Sequence, residues 1–233
     1  MASDVKLSIV IQCHPKRRWW VEEMQKKIPQ ARLVEDVRSQ GVWPTAKRAW
    51  KQYDPFATHH IVLQDDVLPC QDFVEGLEAA LTACPEVPVC VFSRRKIIHK
   101  SVEKGHSWVK LGDGCWGQGT CFPVSLIEPF FRWEWEHIHS FFKWDDARMA
   151  LFCIYHDMPV WCTVPSLVEH VGHAKSLVGN RTPLPRIATQ YIGEDASALG
   201  IDWSKGVDEC LEEKATSYIK RPYISKYIKK WKD

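Results

Sequence analysis

His59-His60-Ile61-Val62-Leu63-Gln64-Asp65-Asp66-Val67-Leu68-Pro69 is the stretch around which the rest of the chain is organised. Apolar, mostly β-branched residues run into two adjacent carboxylates, and Pro69, three residues after the second, stops any regular continuation. The pattern predicts a buried strand ending in a doubly charged turn. Two like charges side by side are costly to bury, so the pair requires cations, hydrogen bonds or open solvent at the strand's carboxyl end. A divalent metal meets that demand, and so does a helix N-terminus.

On its N-terminal side, Val5 to Cys13 is a short β-rich run bounded by His14-Pro15, predicted to be a fully buried strand. Trp20, Met24 and Ile28 follow at helical spacing, with the helix ending near Pro29. Ala31 to Val37 reads as a second strand, and Pro44 to Tyr53 as a helix with proline near its first turn. After the opening stretch come a helix from Asp72, a plausible cap, to Cys84, and a strand in "VPVCVFSRR". Strands alternating with such helices predict an α/β fold, a mixed, mostly parallel sheet flanked by helices.

Beyond Arg95, the glycines 105, 112, 114, 117 and 119 predict hairpins and tight turns over a binding surface. An aromatic helix bent near Pro129 follows, then a helix over Trp144 to Asp157, then a strand leading to His170. The organisation predicted is one domain over residues 1–205, with a donor half to about residue 95 and an acceptor half over 96–205. Residues 206–233 form a basic, aromatic helical tail with Ile219, Tyr223, Tyr227 and Trp231 about four residues apart. Docked on the domain, such a tail is a solvated amphipathic helix; its basic face also suits a nucleic-acid backbone or an anionic membrane surface.

The chain has 233 residues, 45% hydrophobic and 26% charged, enough for one sizeable core. Nine cysteines without C-x-x-C spacing read as buried thiols in a reducing cytoplasm, not as a disulfide framework or zinc site. No stretch reaches the roughly 20 apolar residues of a membrane span, so a cytoplasmic protein without an integral membrane segment is expected. The formal net charge of +2 hides a C-terminus rich in lysine, a pointer to phosphate-rich partners.

In a doubly wound sheet, ligands sit at the carboxyl ends of the strands. Asp65-Asp66, Cys13-His14 and Asp36 each end a strand, so they converge on one mouth. Carboxylates with a neutral imidazole suit Mn²⁺ or Mg²⁺, and His170 could complete the set. The competing reading has the acidic pair capping the next helix and His170 a satisfied, partly buried histidine. Asp145 and Asp146 allow two readings as well: a general base, or negative charge favoured at a helix's first turn. Trp133 and Trp135 read as core, whereas Trp116 and Gln118, in the glycine-rich "GDGCWGQG", read as acceptor contacts.

The strand ending in "LQDDV.P", the helix after it, the Gly-rich segment, the "WDD" turn and the late histidine together resemble the GT-A fold of nucleotide-diphospho-sugar glycosyltransferases. The resemblance covers roughly Val5 to Gly193. It implies a nucleotide-sugar donor, UDP-sugar favoured, and aligns the family's D-x-D element with Gln64-Asp65-Asp66. Gln64 departs from that pattern at the position of a ribose or metal contact. By the same resemblance Asp66 and His170 are metal ligands, with His173 competing for the latter role, and Asp65 lies beside the ribose or the metal's water. Gln12, His14 and Asp36 fall near base and ribose. Residues 172–180 look like a lid, with Lys175 and Arg181 as further cations, and Asp146 or Asp145 takes the place of the catalytic acid motif. The layout is also similar to that of compact transferases encoded by bacteriophages. That implies DNA carrying a hydroxymethylated pyrimidine such as hydroxymethylcytosine as acceptor, in the host cytoplasm. The alternatives are a cell-surface glycan or protein acceptor, or a non-catalytic nucleotide-sugar or nucleic-acid binding module.

Overall fold

The computed structural model describes residues 5–84, 86–171, 177, 186–215 and 219–231. The N-terminal half alternates strands and helices: β1 (Leu7–Cys13), α1 (Arg18–Lys27), β2 (Arg32–Glu35), α2 (Val42–Lys51), β3 (His59–Gln64), β4 (Val67–Pro69) and α3 (Phe73–Ala83). The opening stretch is therefore a strand, a two-residue turn holding both carboxylates, and a second short strand. Next come β5 (Val89–Cys90), α4 (Ile97–Glu103), β6 (Trp108–Leu111), β7 (Thr120–Pro123), α5 (Ile127–His137) and α6 (Asp145–Tyr155). The chain ends through β8 (Val160–Thr163), β9 (Val168–His170), β10 (Leu211–Glu213) and the one-turn α7 (Pro222–Ser225).

Eight strands form one sheet in the order β10-β6-β8-β5-β7-β3-β1-β2, and β4 pairs separately with β9. The β2-β1-β3 side is parallel, as are β5-β8 and β6-β10, while β7 and β6 bring antiparallel pairs. The fold is thus the mixed α/β sheet flanked by helices that the strand–helix alternation predicts. Alternation along each central strand feeds two cores. Val10 and Val62 point into the layer of α2, α5 and α6; Ile9, Ile11, Ile61 and Leu63 point into the layer of α1 and α3.

Several local expectations change. Asp72 does not cap α3: its backbone is left-handed (φ 53°), its side chain makes no capping bond, and it accepts instead from Ser197 Oγ. Residues 97–103 lie where hairpins and tight turns are expected beyond Arg95, and they form α4. Pro129 causes no break because it sits in the first turn of α5, where its missing N–H costs nothing. Trp133 is core, but Trp135, on the opposite face of α5, is 73% exposed. The tail is not a long helix: it supplies β10 to the sheet and then α7, with Ile224 in the core and Ile228 and Trp231 packed against it.

One buried ion pair fixes the loop that leads into α6. Arg148, fully buried, bonds Glu134 and donates to the carbonyls of His139, Ser140 and Phe142, with its guanidinium 4.3 Å from the Trp43 ring. Removing one member of a buried pair leaves the other charge uncompensated. Arg148→Met is expected to lose about 3–5 kcal/mol in urea unfolding, and adding Glu134→Gln to recover part of that loss.

Candidate active site

The carboxyl ends of β1, β2 and β3 open into a cleft of about 370 Å³. Gln12, His14, Asp36, Gln64, Asp65, Asp66, Gln118, Asp145 and Asp146 all line it, so one mouth gathers nearly all the described residues that the sequence singles out. The end of β1 is the joint. The His14 amide donates to Asp65 Oδ2 at 2.6 Å, and Gln12 Nε2 donates to Asp145 Oδ2 at 3.2 Å. One strand end thus ties the acidic turn after β3 to the acidic first turn of α6.

The demand for a cation at Asp65-Asp66 is met from within. Arg17, in the turn that follows β1, places Nη1 2.9 Å from Asp65 Oδ1 and 2.6 Å from Asp66 Oδ2. Pairing of β4 with β9 sets Val67 opposite His170, which brings His170 Nε2 to 3.3 Å from Asp66 Oδ2, within ion-pair range but without hydrogen-bond alignment. Burial pushes the Asp66 carboxyl up, but His170 and Arg17 outweigh it and hold the group below its ordinary value. Asp65 goes the other way: burial dominates, and the neighbouring charge of Asp66 adds to it. The helix-cap reading of this pair therefore fails, since Arg17, His14 and His170 are its partners.

Several buried polar atoms at this mouth have no hydrogen-bond partner among the described residues: Gln12 Oε1, Thr45 Oγ1, Asp66 Oδ1 and both ring nitrogens of His170. Buried polar groups are rarely left so unless a ligand or water completes them. An orphaned carboxylate oxygen beside an orphaned imidazole fits a divalent cation such as Mn²⁺ or Mg²⁺. No group of three or more metal-binding side chains occurs among the described residues, so a cation held here would draw the rest of its shell from beyond them.

Asp36 lines the mouth, yet both its oxygens already accept from the loop into α2, from the amides of Gln40 (2.7 Å) and Gly41 (2.9 Å). That loop needs backbone with positive φ at Ser39 (50°) and Gly41 (98°), and Asp36 pins it. Gln64 Oε1 meets Gln118 Nε2 at 3.4 Å, and Gly117 packs so tightly on Gln64 that a Cβ there would sit 2.1 Å from its Nε2. Trp116, expected at the acceptor, instead sets its ring edge-on to Phe92 at 6.0 Å and packs against both cores. Lys175, Arg181 and His173 lie outside the described residues, as does all of the 172–180 segment save Leu177.

No family model matches the chain, and no curated protein does. Among solved structures it is similar to A197 from STIV, with a TM-score of 0.47 and 15% identity, over 71% of this chain and 85% of that one. No family follows from so loose a likeness, and the chemistry of the cleft is read from its own residues.

The second acidic pair differs from the first. α6 begins at Asp145, so both carboxylates occupy its first turn. Asp145 is buried and holds the bond from Gln12; Asp146 is half-buried, and its Oδ1 accepts from the Ala147 amide at 2.7 Å. Burial raises both carboxyls, and the charge of Asp145 helps push Asp146 up to about 7. A carboxyl near 7 facing a cleft is matched to proton transfer at neutral pH. Trp144 of the "WDD" turn also lines the mouth, as do Arg17, Thr45 and Arg186, which were not singled out from sequence. For Arg17 a signal existed: the basic run Lys16-Arg17-Arg18 follows the strand end nearest to a carboxylate pair that requires cations.

The raised Asp146 sets a pH dependence. The folded state holds this proton above the pKa of the unfolded carboxyl, so the stability it contributes is present below about pH 4 and lost as pH rises through 7. Asp146→Asn, which carries no charge to bury, is expected to match wild type in urea unfolding at pH 4. At pH 8 it should exceed wild type by about 1–2 kcal/mol, the full linkage being reduced by water at the cleft.

Proposed function

We propose that the chain is a glycosyltransferase that moves a sugar from a nucleotide-diphosphate donor, UDP-sugar favoured, to an acceptor hydroxyl with inversion. The acceptor on this reading is a hydroxymethylated pyrimidine in DNA. One observation carries it: the end of β1 ties two carboxylate pairs into a single cleft, one bonded to a buried guanidinium and the other containing Asp146, raised to about 7.

The chemistry divides between the two pairs. Donor cleavage leaves a diphosphate with growing negative charge, which needs preorganised positive charge beside it. Arg17 supplies one cation at Asp65-Asp66, and Arg186 lines the same cleft. Asp66 and His170 would hold Mn²⁺ or Mg²⁺, which when bound offsets charge on the leaving diphosphate. The orphaned Gln12 Oε1 and Thr45 Oγ1 are free to take polar groups of the nucleotide. Asp146 accepts the proton of the acceptor hydroxyl as its oxygen attacks the anomeric carbon. Gln12 positions Asp145, whose charge keeps Asp146 basic enough for that step.

Arg17 also favours a second reading. A guanidinium bonded to both carboxylates would serve a catalytically silent nucleotide-sugar or nucleic-acid binder equally well. Turnover separates the two. With Mn²⁺ and UDP-sugars supplied, transfer to hydroxymethylcytosine- or hydroxymethyluracil-containing DNA is expected as a hexose or pentose mass shift, and Asp146→Asn is expected to lower its rate about 10²–10⁴-fold. Absence of hydrolysis or transfer with every common donor would leave the binding module.

A further inference from the structure

Beside the cleft lies a groove of about 430 Å³, walled by Trp43, Pro44, Ser140, Phe141 and Lys143 and continuous with the cleft through Gly41 and Val42. Its outer wall continues onto the C-terminal segment. The His139 amide donates to the Tyr227 carbonyl at 2.9 Å, the Lys229 amide donates to the His137 carbonyl at 2.7 Å, and Ile138 bridges Ile228. Since Ile224 is core and Ile228 and Trp231 pack against it, Lys226, Lys229 and Lys230 face outward.

Large flat side chains stand exposed along this shelf. Phe141 is 68% exposed, stacked on His139 at 5.0 Å and met edge-on by Tyr227 at 5.5 Å. Trp135 is 73% exposed, with Lys229 Nζ 5.7 Å from its ring. Lys143 lies 4.6 Å from the Trp144 ring and Lys226 4.9 Å from the Tyr227 ring. Of the acids in the same segment, Glu134 is buried and paired with Arg148, which leaves Glu136 exposed among the lysines. Rings open to water, Trp135 with the Lys229 ammonium beside it and Phe141 in the same groove wall as Lys143, suit a polyanion that carries flat bases. A neutral glycan would use the rings and leave the lysines idle.

Building on the proposed reaction, we infer that this shelf holds a nucleic-acid strand while one of its nucleotides enters the cleft. Bases stack on Phe141 and Trp135, and phosphates run along Lys143, Lys226 and Lys229. The strand is bound unpaired at this point, because stacking on an exposed ring requires a base out of its duplex.

The test is fluorescence anisotropy of a labelled oligothymidine with the full chain at several salt concentrations. Wild type is expected to bind with an affinity that falls steeply with salt. Phe141→Ala with Lys143→Glu is expected to weaken binding about 10-fold or more, and Lys226→Glu with Lys229→Glu to flatten the salt slope, with circular dichroism melts showing that each variant folds. Wild-type binding that neither double variant alters would overturn the proposal. So would binding only to phosphatidylserine vesicles, which would make the shelf a membrane surface. Calorimetry of wild type with UDP tests the cleft separately. Oligothymidine binding without UDP binding keeps the shelf and removes the transferase reading; UDP binding without oligothymidine binding removes the shelf.

Discussion

Two carboxylates at the end of a buried strand set the terms for everything around them. The pair Asp65-Asp66 survives in the interior because Arg17 reaches both, the His14 amide caps Asp65, and His170 stands over Asp66. Each partner comes from a different element: the turn after β1 supplies Arg17 and His14, and β9, threaded beside β4, supplies His170. The parallel pairing of β1 with β3 makes this possible, since it places two strand ends side by side with Gln12 opposite Gln64. Slipping that register by one residue would turn Asp65 away from His14 and leave the charges uncompensated.

The same strand end organises the second half of the cleft. Gln12 spends its amide on Asp145 and keeps its carbonyl oxygen unpaired toward the mouth. Arg148 holds the loop before α6 from below, through Glu134 and three carbonyls. Asp145 and Asp146 are thereby fixed on a rigid helix end, and burial there keeps one of them near neutrality. The cleft is asymmetric as a result, with positive compensation on the β3 side and a carboxyl raised to about 7 on the α6 side.

Much of this was legible in the sequence. The continuous apolar runs at Val5 to Cys13 and before Asp65-Asp66 read as buried strands, and the rule that ligands meet at strand ends places His14, Asp36, Asp65 and Asp66 at one mouth, as the cleft lining has them. What stayed hidden was governed by tertiary packing. Trp116 sits in a glycine-rich loop that looks open, yet its ring packs edge-on against Phe92 and against both cores. Asp72 precedes a helix as a cap should, but a left-handed backbone directs it to Ser197. Lysines and aromatics in the tail suggested a helix, whereas β10 and the docking of Ile224 consume the apolar residues in the sheet edge and core. The basic run Lys16-Arg17-Arg18 hints at a cation for the acidic pair, but strand order, which local pattern does not report, decides that Arg17 reaches Asp65, 48 positions away.

The central claim, that Asp66 and His170 complete a cation-assisted diphosphate site beside Arg17, is tested most directly by calorimetric titration of UDP in the presence of Mn²⁺ and of EDTA. The account predicts that Mn²⁺ tightens UDP binding to the wild-type chain by about 10-fold or more, and that His170→Ala removes this increment. UDP binding of equal strength with Mn²⁺ and with EDTA would contradict it and leave Arg17 as the cation that serves the site.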